Sequence, residues 1–166
     1  DEVQCGMGRS GHAFAAGLYG VPPDMITTAK ALGNGFPCAA LLMTPRVTAA
    51  VVMESLGTTF GGGAVACAAI EAVIEAIESE ALLENVRRVS AYVRAQCRVG
   101  PVTGFQGAGL LLGLRLDRPA KVVQATLLER GILTGTSADP QVLRLLPPYI
   151  LREAHVDLLA EALAAL

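Results

Sequence analysis

The sequence predicts an α/β chain in its first part and a smaller α+β lobe in its second. Three observations predict this. Apolar, β-prone runs alternate with runs of helical period as far as about residue 97. After Gly100-Pro101, two apolar runs follow each other at hairpin-like spacing. Glycine clusters at 6–11, 33–35 and 57–63 supply the connections. Strands that alternate with helices favour a mainly parallel sheet for the first part. The boundary is expected inside a helix around 82–97, giving segments 1–85 and 86–166.

In order, residues 1–5 read as the end of a strand, followed by the loop Gly6-Met7-Gly8-Arg9-Ser10-Gly11. A short helical stretch from His12 to Leu18 stops at Gly20 and Pro22-Pro23. Met25 to Thr28 is β-prone and runs into Ala29-Lys30, and Cys38 to Met43 reads as a second buried strand. Thr44-Pro45 has the form of a helix start, with the helix expected to reach about Glu54. A long helix over Ala64–Glu78 gathers Ile70, Val73, Ile74 and Ile77 on one face, and another is expected from about Leu82 to Cys97. Strands at Val102–Phe105 and Leu110–Leu116, a helix from Pro119 to Arg130, short strands at 132–134 and 142–146, and a closing helix over 151–166 complete the chain.

Composition narrows the function. Hydrophobic residues make up 52% and charged ones 17%, with a mean hydropathy of +0.49, yet Gly, Pro, Glu or Arg interrupts every apolar stretch. None approaches the roughly 18 consecutive apolar residues of a spanning helix, so no membrane role is expected. Net charge is −2 and the basic residues are scattered, which argues against nucleic acid. Cys5, Cys38, Cys67 and Cys97 form neither a CxxC pair nor a Cys/His cluster. They read as reduced, mostly buried thiols of a cytoplasmic protein with no metal site. His12 and His155 are isolated and suit surface or capping roles. The opening Asp1-Glu2-Val3-Gln4 has the character of mid-sheet sequence, so the chain is expected to be a fragment.

Five features carry possible chemistry. The chain has two lysines, and Lys121 sits in an ordinary amphipathic helix. Lys30 follows an apolar strand and precedes Ala31-Leu32-Gly33-Asn34-Gly35. A partly desolvated lysine there favours the neutral amine that attacks aldehydes; a salt-bridged or snorkelling lysine is the alternative. Asp1 stands at a strand end, where a carboxylate can face a cationic heterocycle nitrogen or simply meet solvent. Gly6-x-Gly8-x-x-Gly11 matches the dinucleotide-binding pattern by letter. No long helix or well-placed acidic residue follows it, so a structural turn is the better reading, and an oxidoreductase is disfavoured. Thr58-Thr59-Phe60-Gly61-Gly62-Gly63 ahead of a helix suits a phosphate cradle but lacks the Lys-Ser/Thr of a P-loop. Arg144, alone in an apolar strand, needs an anion, either a substrate carboxylate or a structural partner.

Taken together, DEVQCGMGRSG at 1–11, GVPPDMITTAKALGNGFP at 20–37, GTTFGGG at 57–63 and LRLLPP at 143–148 resemble the class III aminotransferases. That family belongs to fold type I of the pyridoxal-phosphate (PLP) enzymes, and the resemblance spans essentially the whole chain. It implies that 1–85 is the C-terminal part of a mainly parallel-sheet large PLP-binding domain and 86–166 an α+β small domain. It implies Lys30 as the Schiff-base lysine that also moves a proton between the substrate α-carbon and cofactor C4′. Asp1 would pair with the pyridine nitrogen, Val3 pack on the ring and Gln4 bond the phenolic oxygen. Thr59 would reach the phosphate of the other subunit of a homodimer, and Arg144 would bind the substrate α-carboxylate. The implied reaction moves the terminal amino group of N-acetylornithine, or of a similar ω-amino donor, to 2-oxoglutarate in arginine biosynthesis. Ornithine, 4-aminobutyrate and succinyl-diaminopimelate are the alternative donors. Two positions depart from the pattern: Gly63-Ala64 stands where Asn-Pro is usual, and Asn34 where glycine is frequent. The family's upstream half supplies the main phosphate loop and the ring-stacking aromatic, so a fragment without it is expected to have little activity alone.

Overall fold

A computed structural model describes residues 1–166, which form two compact units, Asp1–Leu82 and Leu83–Leu166. The first unit holds α1 (Ala15–Leu18), β1 (Met25–Thr28), β2 (Ala40–Met43), α2 (Pro45–Thr48) and α3 (Ala64–Ser79). The second begins with α4 (Leu82–Gln96) and continues through β3 (Val102–Ala108), β4 (Leu111–Leu116), α5 (Ala120–Glu129), β5 (Gly135–Thr136), β6 (Val142–Leu145) and α6 (Glu153–Ala164). No helix is long and apolar enough to cross a membrane.

Helices and strands interleave as the sequence predicts, but every strand pair formed within the chain is antiparallel. In the first unit β1 pairs with β2 in the register Met25↔Met43 to Thr28↔Ala40. A parallel pair needs a crossover of a dozen or more residues, usually a helix. The segment 29–39 contains only a 3-10 turn at Lys30–Leu32, which suffices to reverse the chain. Residues 1–5 are not a strand either. They are mostly turns, and the Glu2 N–H bond to Thr27 O (2.9 Å) ties their backbone to β1.

Other boundaries differ for local reasons. α2 stops at Thr48 rather than near Glu54, because the β-branched Val51-Val52 follow and residues 48–63 are exposed throughout. Without a packed face, a helix that short is not sustained. The strand expected at 132–134 forms instead at Gly135–Thr136, opposite Arg144 and Leu143. All four cysteines are free, but only Cys97 is buried; Cys5 and Cys38 are half-buried and Cys67 is exposed.

The second unit is a two-layer sandwich. Its sheet runs β3-β4-β6-β5, and alternation sends Leu112, Leu114 and Leu116 of β4 to one face, level with Leu143 and Leu145 of β6. Val86, Val89 and Val93 of α4, Val123 and Leu127 of α5, and Val156, Leu159 and Leu163 of α6 cover that face at helical spacing. Burial pushes the Cys97 thiol in this core up to about 11, with the charge of Asp157 adding to the effect.

Gly100 joins α4 to the sheet in left-handed backbone (φ 54°), and a Cβ there would lie 1.9 Å from Leu163 O. Gly100→Ala is therefore expected to cost at least about 1–3 kcal/mol in backbone strain alone, beyond the displacement of α6. A lower urea midpoint at an unchanged slope would show it.

Candidate active site

Lys30 closes β1. Its backbone is left-handed (φ 48°), uncommon for a residue with a side chain, and costs about 1–2 kcal/mol. That conformation ends the strand and starts the 3-10 turn, in which Leu32 N–H bonds Ala29 O (2.9 Å) and Gly33 N–H bonds Lys30 O (3.3 Å). Leu32 is buried and anchors the turn. Gly33 is needed for space rather than for its dihedrals: a Cβ there would sit 2.5 Å from both Cys38 Sγ and Phe36 O. Lys30 itself is exposed and forms no ion pair within the chain.

Asp1 lies beside the same strand. One carboxylate oxygen accepts the Val3 N–H (3.1 Å) and the other the Thr27 hydroxyl (3.1 Å). Thr27 thereby joins an exposed carboxylate to the strand that ends in Lys30. Val3 is half-buried, and Gln4 is exposed with an unpartnered amide. The fold brings Asp1, Val3, Gln4 and Lys30 onto two adjoining segments. Thr59 is not bonded to them; it sits in the exposed loop 57–63 that leads into α3.

Glu2 was not legible as a site residue, because strand alternation placed it on the same face as Gln4. In the turn the two part: Gln4 is exposed, and Glu2 is only 6% exposed. The Glu2 carboxylate accepts the N–H groups of Ala15 (2.9 Å) and Ala16 (2.7 Å) and the Cys5 thiol (3.1 Å). A signal existed in the sequence, since the stretch at 12–18 offers no Ser, Thr, Asp or Asn of its own beside Ala15. Burial pushes the Glu2 carboxyl up, but the bonds from Ala15, Cys5 and Ala16 outweigh it and hold it below the usual range. A depressed carboxylate stabilises the fold in full above its unfolded value, near 4.5, and loses that contribution as pH falls through the lower folded value. The stability gap between the parent chain and Glu2→Gln is thus expected to narrow below about pH 4.5, as read from melting temperatures at stepped pH.

The glycines of 6–11 serve the turn and not a nucleotide. Gly8 and Gly11 have positive φ (96° and 84°), and α1 behind them is only four residues long. His155, expected in a surface or capping role, accepts the Arg152 N–H through Nδ1 (3.1 Å) at the start of α6.

In the second unit Arg144 is the one exposed residue of β6. It shares a row across the sheet with Gln106, Gly113 and Gly135. Two glycines as its direct neighbours leave the guanidinium uncovered, and a Cβ on Gly135 would reach within 3.3 Å of Arg144 Nε. The ion pairs of the unit are Arg88–Glu153 and Arg118–Asp117, so Arg144 has no carboxylate of its own. It lines a cavity of about 600 Å³ whose other walls include Leu133, Thr134, Leu146 and Pro147. The Thr134 hydroxyl there is buried without a partner.

The chain is similar to known proteins along nearly its whole length. The family model described as Aminotransferase class-III matches residues 1–166. Acetylornithine aminotransferase 1 of Bordetella bronchiseptica is 40% identical over 171 aligned residues, covering 100% of this chain and 43% of that protein. Acetylornithine aminotransferase of Methanocaldococcus jannaschii is 37% identical over 98% of this chain and 42% of its own length. Among solved structures, the ornithine aminotransferase from Toxoplasma gondii superposes with a TM-score of 0.88 at 27% identity, covering 99% of this chain and 41% of that one. The acetylornithine aminotransferase from Elizabethkingia anophelis gives 0.88 at 26% identity, over 99% and 47%. The chain thus spans less than half the length of these relatives.

Proposed function

The chain belongs to the class III aminotransferase family along its whole length, and from that premise we propose that it is the Lys30-bearing part of a PLP-dependent aminotransferase. The observation that carries the reading is the juxtaposition of Asp1, tied to Thr27 of β1, with Lys30, which opens the 3-10 turn two residues past the end of that strand. Residues 1–85 then form the C-terminal part of the large PLP-binding domain and 86–166 the small domain.

The side chains present suit that cofactor by chemistry. Asp1 keeps lone pairs free beyond its two bonds and is exposed, as a partner for a protonated ring nitrogen must be. Val3 offers an apolar surface for a ring, the free Gln4 amide a donor for a phenolic oxygen, and the exposed Lys30 amine a nucleophile for an aldehyde. When bound, PLP supplies an electron-withdrawing pyridine ring that takes up negative charge from the reacting carbon. Asp1 would keep the ring nitrogen protonated. Lys30 Nζ would hold the cofactor between turnovers and, once free, would take the proton from the carbon that bears the departing amino group. Arg144 anchors the α-carboxylate of the donor and of the acceptor acid. Thr59 would reach the phosphate of a cofactor held by a second copy, and the working unit in this reading is a homodimer.

The names of the relatives support N-acetylornithine, or a similar ω-amino donor. The acceptor in this reading is 2-oxoglutarate, and the reaction a cytoplasmic step of arginine biosynthesis. The test is glutamate formation by the full-length protein carrying this segment, supplied with PLP, 2-oxoglutarate and each donor in turn. N-acetylornithine is expected to give the highest kcat/KM, ahead of ornithine, 4-aminobutyrate and succinyl-diaminopimelate. No glutamate from any of the four would overturn the reading.

A further inference from the structure

We propose that Glu2 is a positioning residue whose buried carboxylate, clamped by the Ala15 and Ala16 amides and the Cys5 thiol, aims the Asp1 carboxylate at the cofactor ring. The inference rests on the PLP reading above and adds to it a residue that touches neither cofactor nor substrate.

Asp1 is held loosely. It is exposed, and its side chain makes two bonds of 3.1 Å, one of them to its own near neighbour Val3. Such bonds compete poorly with water at an exposed site. Glu2 is the opposite: at 6% exposure it uses every polar group it has. Its N–H donates to Thr27 O (2.9 Å), its carbonyl accepts from Gly6 N–H (2.9 Å), and its carboxylate accepts three more bonds. Glu2 therefore pins the backbone on which Asp1 and Val3 ride to two places at once, the end of β1 and the start of α1. A Cβ on Gly6 would come within 2.7 Å of Glu2 O and 3.1 Å of Glu2 Cβ, so the turn closes tightly around this residue.

The donor set makes the role testable by a single atom change. Oε1 faces one N–H, and Oε2 faces an N–H and a thiol. Burial and the Glu2 contact both raise the Cys5 pKa, so the thiol keeps the proton it donates. Glutamine has the right shape but must turn its NH2 toward one of these donors, which leaves buried groups unpaired in either orientation.

The experiment uses the full-length PLP-loaded protein and reads the pH midpoint of the bound cofactor's visible band in the parent, Asp1→Asn and Glu2→Gln. Glu2→Gln is expected to move the midpoint in the same direction as Asp1→Asn, by at least about half a pH unit. Where Glu2→Gln does not fold, Ala15→Pro takes its place. It removes one donor to Glu2 at a first helical position preceded by the extended Phe14 (φ −133°, ψ 147°), where proline is tolerated, and a smaller shift of the same sign is expected. A midpoint that moves in Asp1→Asn but stays at the parent value in the folded Glu2 or Ala15 variant overturns the inference and leaves the cofactor reading intact. A midpoint unmoved even by Asp1→Asn overturns the assignment of Asp1, and the inference with it.

Discussion

Lys30→Ala in the full-length protein is expected to abolish covalent attachment of PLP and to lower kcat at least about 10²–10⁴-fold through loss of proton transfer alone. Attachment is read directly: borohydride fixes a cofactor–lysine imine permanently to the parent chain and fixes none to the variant. The expectation follows from position. Lys30 is exposed at the end of β1, on a left-handed backbone, and without an ion-pair partner. A structural lysine has no need of that strained conformation, whereas a lysine that must swing between holding a cofactor and moving a proton has reason to stand at such a turn. Lys121→Ala is the control, since that lysine lies exposed on α5 and is expected to change neither readout. A visible band that survives Lys30→Ala at full occupancy and remains fixable by borohydride would sink the assignment. Because alanine frees rather than crowds the turn, loss of folding is not the expected cause of any effect.

The parts of the fold that were legible in the sequence are those where one period governs many residues. Val86, Val89 and Val93 repeat at helical spacing, and Leu112, Leu114 and Leu116 alternate, so α4 and β4 came out with nearly their observed limits. Lys30 and Arg144 stood out as candidates because each is a charged group in apolar or glycine-rich company, while their roles and that of Asp1 rested on the family resemblance. What was not legible depended on contacts made across the chain. Glu2 is buried only because α1, thirteen residues further on, lacks a cap of its own. Strand direction within the chain depended on whether 29–39 forms a crossover or a turn, and in that turn Gly33 leaves room for Cys38 and Phe36. For Arg144 the sequence left a substrate carboxylate and a structural partner as alternatives; within the chain it makes no ion pair.

Arg144 carries the second large effect. An exposed guanidinium between Gly113 and Gly135 can present two parallel N–H groups to one carboxylate, and its β-sheet backbone fixes where they point. A hydrogen bond to a charged group contributes about 1.5–3 kcal/mol, so losing two costs at least about 3 kcal/mol, or roughly 10²-fold in kcat/KM. Arg144→Ala is expected to lower kcat/KM by that order for donor and 2-oxoglutarate alike, because both bring an α-carboxylate. Arg144→Lys keeps the charge but not the fork and is expected to recover only part of the loss. The borohydride-fixed PLP should be unchanged in both variants, which separates a substrate role from damage to the cofactor site. Gly135→Ala supplies an independent check that leaves the guanidinium in place. Its Cβ would lie 3.3 Å from Arg144 Nε, tight enough to shift the fork by a few tenths of an ångström. KM for both substrates should then rise while thermal stability changes little. Full activity in Arg144→Ala would mean that the carboxylate is read elsewhere, and the uncovered arginine of β6 would need another anion.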